Sequence, residues 1–140
     1  MEDLASFKQI TIDRKIGLLY REPFIRRIED IKGEVCVKRS YIVKGESGVS
    51  LEGQILTGNS LIVHGLIGGE IIYISRDRYK PILKNFSMPF STFIMLPSDF
   101  SEESEIEVSS LIKDIDAIYI NDEEIHITSS ILLSSNSICK

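Results

Sequence analysis

Apolar and polar residues alternate with a period of two along most of the chain. Val35 and Val37 alternate with Glu34 and Cys36, and Leu61, Val63 and Gly65 alternate with Ile62, His64 and Leu66. Ile115, Ala117 and Tyr119 alternate with Asp116, Ile118 and Ile120. Ile125 and Ile127 alternate with His126 and Thr128 in a run that reaches Leu133. This period puts successive side chains on opposite faces of an extended strand. Turn signals separate the runs: Gly45 to Gly48, Thr57-Gly58-Asn59, Gly68-Gly69, Arg76-Asp77-Arg78 and Asn121-Asp122. The pattern predicts an all-β fold, an antiparallel β-sandwich of about 7–8 short strands. No alternation of strands with helices is visible, which disfavours a parallel nucleotide-binding sheet.

Three segments depart from the period. Pro23 suits the first turn of a helix, Phe24, Ile28 and Ile31 recur at helical spacing, and Gly33 is a stop. A short amphipathic helix is therefore expected over 22–32. Upstream, Ile10-Thr11-Ile12 reads as a short strand or as part of an arm that docks on a neighbour. Downstream, Phe90, Phe93 and Leu96 are spaced for a helical or 3₁₀ turn plugging one end of the sandwich, after a strand that Pro89 ends or edges. The organisation expected is an N-terminal arm (1–22), one β-domain (23–135) and a tail (136–140).

Composition strengthens the β reading. The 140 residues include 24 Ile against 2 Ala. Ile fits a pleated surface and Ala favours helices, so a helical bundle is excluded as first choice. The net charge is -5, which argues against a nucleic-acid partner. That charge is unevenly spread. Residues 1–45 hold ten bases and seven acids, whereas 99–124 hold ten acids and one base, Lys113. The simple reading is a solvated acidic face. The sharper one is head-to-tail pairing between copies, basic N-terminal region to acidic C-terminal region. The start of the chain shows no secretory signal, and no apolar run is long enough for a transmembrane helix, so synthesis in the cytoplasm without membrane insertion is expected.

Candidate chemistry is sparse. Cys36 and Cys139 have neither metal spacing nor a C-x-x-C arrangement. They read as reduced thiols or, at the surface, as crosslinks between copies. His64 and His126 lack partners at ligand spacing. Asp114, Asp116, Asp122, Glu123 and Glu124 do not match an EF-hand loop. The glycines between 65 and 69 form neither a dinucleotide nor a phosphate loop, and they read as a turn or bulge. No G-x-S-x-G occurs. Nothing points to a catalytic residue, a metal or a cofactor.

One block carries a family pattern. Gly53-Gln54-Ile55-Leu56-Thr57-Gly58 leads through Leu61-Ile62-Val63-His64-Gly65 to Ile72-Tyr73-Ile74. Phe86-Ser87-Met88-Pro89-Phe90-Ser91-Thr92-Phe93-Ile94-Met95-Leu96-Pro97 follows, then Leu111-Ile112-Lys113-Asp114-Ile115 and a last strand over Ile125–Leu133. This order resembles the SPOCS domain family of clostridia and related spore formers, over roughly 23–135. Lys113 stands where the family pattern has an acid. Larger members carry a LysM module that is missing here, so that module's partner is not carried over. The resemblance implies a non-enzymatic structural protein of the spore coat, exosporium or a related surface layer, with copies of itself or other coat proteins as partners. The expected mechanism is self-association, with Ile10 and Ile12 of the arm docking on a neighbour and Cys36 and Cys139 available for crosslinking. The alternative is a module that binds cell-wall glycan or calcium. Convergence of the two histidines with carboxylates in a pocket would instead favour an enzyme.

Overall fold

The structure, a computed structural model, describes residues 5–44, 48–49, 55–56, 59–96 and 105–138. All regular elements among them are strands. In chain order these are β1 (Ala5–Gly17), β2 (Ile25–Lys44), β3 (Gly48–Val49), β4 (Ile55–Leu56), β5 (Asn59–Ser75), β6 (Pro81–Met95), β7 (Glu105–Asn121) and β8 (Glu124–Ile138). β1, β8 and β7 form one three-stranded sheet, and β2, β5 and β6 form a second. Every pairing is antiparallel, including the small β3–β4 ladder. Among the described residues no helix is long and apolar enough to cross a membrane.

Two of the turns read from sequence close hairpins. The Ser75 N–H donates to the Lys80 carbonyl at 2.8 Å to join β5 to β6. At the β7–β8 turn the Asn121 side-chain oxygen accepts the Glu123 N–H at 2.8 Å, a local bond that mimics a backbone turn. The inward faces of the two sheets meet in one core. Ile67, Ile71 and Tyr73 of β5, Met88 and Ile94 of β6, and Ile127, Ile131 and Leu133 of β8 are almost wholly buried in one cluster. Burial of each such side chain contributes about 1.5–3 kcal/mol. Along the sides, β2 lies against β7, and β1 lies against β6.

The expected helix at 22–32 is instead the start of β2. Its spacing has a specific cause. Ile25, Ile28 and Ile31 oppose Ser75, Tyr73 and Ile71, with register shifts at Ile25/Arg27 and Ile28/Asp30. Each bulge adds one residue to β2, so the inward period becomes three where β5 keeps two. Two bulges in succession imitate one face of a helix. The arm is also corrected. Ile10 and Ile12 lie in β1, opposite Ile131 and Ser129 of the chain's own β8, and pack against the core. The Phe90–Leu96 plug is the continuation of β6, with Phe90, Ile94 and Leu96 inward and Phe93 outward. The tail expected from 136 is part of β8 as far as Ile138.

β5 also runs unbroken through Gly65, Gly68 and Gly69. Gly69 faces Gly33 across the β2–β5 ladder, and a Cβ on Gly69 would overlap the Lys32 carbonyl. The glycine serves a close backbone approach inside a strand and makes no turn. Gly69→Ala is expected to lower stability by about 3 kcal/mol, because β2 has to move. Gly68→Ala is the control. Its Cβ would meet the end of the Leu66 side chain at 3.3 Å and the Phe86 carbonyl at an ordinary 3.8 Å, so its cost is about 1 kcal/mol or less. Urea unfolding of the two variants checks the contrast.

Candidate functional site

The outer face of the second sheet carries apolar rows towards both ends, with the polar rows Glu34–Gly68–Ser87 and Lys32–Glu70–Asn85 between them. Side chains that alternate with the core residues point outward and are aligned by register across β2, β5 and β6. Tyr41, Ile62 and Phe93 form one row, Val43, Ser60 and Met95 the next, and Cys36, Leu66 and Pro89 another. Towards the other end, Ile72 lies beside Leu83 and Ile74 beside Pro81. Phe93 is 47% exposed, Leu83 55% and Tyr41 37%. Within this surface His64 bonds to the Ser91 hydroxyl at 2.6 Å and the Tyr41 hydroxyl at 3.2 Å. Arg39 stacks over the Tyr41 ring and Lys8 over the Phe93 ring at 3.9 Å. The corresponding face of the first sheet is mixed: Phe7 is 66% exposed there, Leu111 58% and Ile118 55%, beside polar side chains. Gln9 bonds there to Ser130, and the Asp114 carboxylate accepts the Ser130 N–H.

A hydrophobic period read only for its inward half misses these outward residues. The signal was nevertheless present in β5. Leu61-Ile62-Val63 and Ile71-Ile72-Tyr73-Ile74 are apolar at consecutive positions, which is the signature of a strand covered on both faces.

The residues named from sequence do not gather in one place. Cys36 is an exposed free thiol on the outer face of the second sheet, and Cys139 lies outside the described residues. Ile10 and Ile12 face the core. His64 and His126 occupy the outer faces of different sheets, on opposite sides of the molecule. His126 sits 3.2 Å from Asp13. The acidic residues are likewise dispersed, with Asp122 paired to Arg76 at 2.6 Å and Glu124 to Lys15 at 3.5 Å. The Asn121 side chain, and then Lys15, hold the Glu124 carboxyl below the usual range. Among the described residues no three His, Cys, Asp or Glu converge as metal ligands. The free edge of β6 carries exposed Pro81 and Pro89, which blunt it against strand addition.

One end of the molecule is built differently. There the connections 18–24 and 76–80 and the β7–β8 turn lie together. Lys84 is buried (7% exposed) on β6, and its ammonium donates to Glu22 at 2.7 Å. Glu22 also accepts the Leu19 N–H at 2.5 Å. The buried Tyr73 hydroxyl donates to the Pro23 carbonyl at 2.7 Å. Two side chains of the sheet thus hold one connection in place, and it displays Tyr20 and Arg21 outward. Arg21 and Tyr79 both have positive φ, at 72° and 54°, a conformation that costs a non-glycine residue about 1 kcal/mol or more. Burial, and then the nearby Glu22 charge, push the Tyr73 phenol above its ordinary value of 10.0.

Removing one partner of a buried pair strands the other. Lys84→Met should therefore destabilise the fold by about 3 kcal/mol, and adding Glu22→Gln should recover part of that loss; a double-mutant cycle in urea measures it. For Tyr73, the unfolded chain releases the phenolic proton before the folded chain does. Its contribution is complete below pH 10.0 and is lost as pH rises through the raised folded value. Tyr73→Phe should cost about 1 kcal/mol near neutrality and flatten the alkaline limb of a melting-temperature profile. Comparison of the chain with family models, curated proteins and solved structures returns no match.

Proposed function

We propose that the two sheets form a β-sandwich that works as a non-enzymatic assembly module, associating with copies of itself. One observation carries this reading: on the face of the second sheet turned away from the core, two adjacent rows, Tyr41–Ile62–Phe93 and Val43–Ser60–Met95, bring exposed apolar side chains together. Isolated exposed apolar side chains are ordinary, but a cluster of them marks an interaction surface. The face that carries it has a size that fits such a role. β6 has 15 residues; at a rise of ~3.3 Å and a strand spacing of ~4.8 Å, three strands of that length present about 700 Å². A standard interface takes about 800 Å² from each partner. Tyr41, Phe93 and Arg39 supply residue types that dominate binding energy at interfaces.

The biological setting rests on the resemblance of the Gly53–Gly58, Ile72–Ile74 and Pro89–Pro97 segments to SPOCS domains. It points to the coat, exosporium or a related layer of a spore, where a small self-associating module is a building unit. Cys36 lies on the same face, in the row with Leu66 and Pro89. Contact between two copies there would bring this thiol close to the interface.

Size-exclusion chromatography with light scattering, run with and without reductant, tests the reading. The wild-type chain is expected to be oligomeric. Phe93→Glu, placed on an already half-exposed side chain, is expected to give monomers with an unchanged far-ultraviolet circular dichroism spectrum. A wild-type chain that stays monomeric at all concentrations, or a Phe93→Glu chain with an unaltered oligomer, overturns it.

A further inference from the structure

We infer that the cleft at the turn end of the molecule is a binding site for a small ring that carries an oxyanion, a sugar acid or a sugar phosphate. The inference does not rest on self-association. Ser75 lines the cleft and Ile62 belongs to the apolar row, and the two lie about 40 Å apart along β5. The cleft lies between residues 21–24 and the β5–β6 turn. It has a volume of about 400 Å³ and is lined by Arg21, Phe24, Arg78, Lys80 and Ile82, among others. That volume suits a small-molecule site. Bonds within the chain fix its walls. Lys84 and Tyr73 anchor one wall through Glu22 and the Pro23 carbonyl. In the other, the Ser75 hydroxyl accepts the Lys80 N–H at 3.2 Å, and the Ser75 carbonyl accepts the Tyr79 N–H at 3.1 Å. The Arg76 N–H donates to the Phe24 carbonyl at 2.8 Å and ties the walls together. Arg21 and Tyr79, one on each wall, are the only non-glycine residues of positive φ among the described residues. Strained backbone that its surroundings hold in place collects at ligand clamps.

The charge of the lining selects an anion. Arg21, Arg78 and Lys80 form no ion pair among the described residues. Of the lining acids, Glu22 is neutralised by Lys84, and Asp77 offsets one of the three cations. Three cations less one acid leave two positive charges, in a chain whose net charge is -5. A guanidinium on each wall can donate paired hydrogen bonds to a carboxylate or a phosphate, where such bonds are strongest. The lining also includes Pro23, Phe24 and Ile82. These suit the C–H face of a ring, and a bare ion would leave them unused. Two larger classes of ligand fit less well. An extended peptide docks by pairing with a strand edge, and Pro81 removes a donor where β6 begins beside the cleft. A nucleic-acid strand needs aromatic faces for its bases. Here the Arg21 guanidinium already covers one face of Tyr20, and that of Arg26 covers one face of Tyr79 at 4.4 Å. The overall negative charge also repels a polyanion.

Amide resonances of the full nitrogen-15-labelled chain are followed as glucuronate, a glucose phosphate, inorganic phosphate, glucose or oligothymidylate is added. Glucuronate and glucose phosphate are expected to give saturable shifts centred on residues 20–24 and 75–82, and the tighter of the two identifies the preferred oxyanion. Both should bind about tenfold or more weakly to Arg21→Asn/Arg78→Gln; Asn tolerates the left-handed backbone at position 21. Phe24→Ala should weaken both sugars and leave inorganic phosphate unchanged. Signals away from the cleft report that each variant is folded. The inference is overturned by an absence of saturable shifts, by glucose binding as tightly as the acids, or by affinity unaltered in the double Arg variant. Inorganic phosphate that matches the sugars, or oligothymidylate that binds more tightly at the same residues, also overturns it. None of these outcomes depends on the oligomer, so the self-association reading stands or falls separately.

Discussion

The interior shared by β5 and β8 is the constraint on which the rest of the molecule depends. Ile67, Ile71 and Tyr73 of one strand and Ile127, Ile131 and Leu133 of the other belong to a single buried cluster. Each sheet can give that cluster only one face, since successive side chains point opposite ways. The outer faces are mixed. On the first sheet Gln9, Asp114 and Ser130 hydrogen-bond across the strands, while Phe7, Leu111 and Ile118 stand exposed. On the second sheet Ile62, Leu66, Ile72 and Phe93 stand outward, between rows that hold Glu34, Lys32 and Glu70. The consecutive apolar residues of β5 supply both its core face and part of that outer one.

The turn end obeys a different logic. Burying Lys84 removes an ammonium from water, a cost that its bond to Glu22 offsets only while both partners stay in place. Tyr73 adds a second anchor to the same connection through the Pro23 carbonyl. The gain is positional. A connection that would otherwise move freely is fixed to two strands, and its outward residues, Tyr20 and Arg21, are presented on a rigid support. The left-handed backbone at Arg21 and Tyr79 is tolerated because neighbouring bonds determine it, as the Tyr79 N–H bond to the Ser75 carbonyl does at one of the two sites.

How much of this was legible in the sequence depends on the residue. The period of two placed Val35, Val37, Ile125 and Ile127 in strands with the correct inward face, and Arg76-Asp77-Arg78 marked a real hairpin. The period misled where backbone irregularity altered it. At Ile25, Ile28 and Ile31, two bulges stretched the inward spacing to that of a helix. At Gly68-Gly69 a turn signal was in truth an allowance for the approaching β2 backbone. Phe90, Phe93 and Leu96 carried helical spacing by coincidence, because one of them serves the outer face and two serve the core. The face itself was written in consecutive apolar residues, but only a partner strand on each side could show that Tyr41, Ile62 and Phe93 share a row. The Lys84–Glu22 pair spans 62 residues of sequence and left no local trace.

Two copies joined through the Tyr41–Ile62–Phe93 row would meet by an isologous contact, which closes at a dimer. Such a contact would answer to salt differently from the surface ion pairs. Apolar burial persists in salt, whereas pairing between exposed charges is screened over about 10 Å at ordinary ionic strength. Charge is present on the same face: the rows Glu34–Gly68–Ser87 and Lys32–Glu70–Asn85 cross its middle. A contact that covered the whole face would have to pair Glu34 and Glu70 with cations, because a charge buried without a partner costs several kcal/mol.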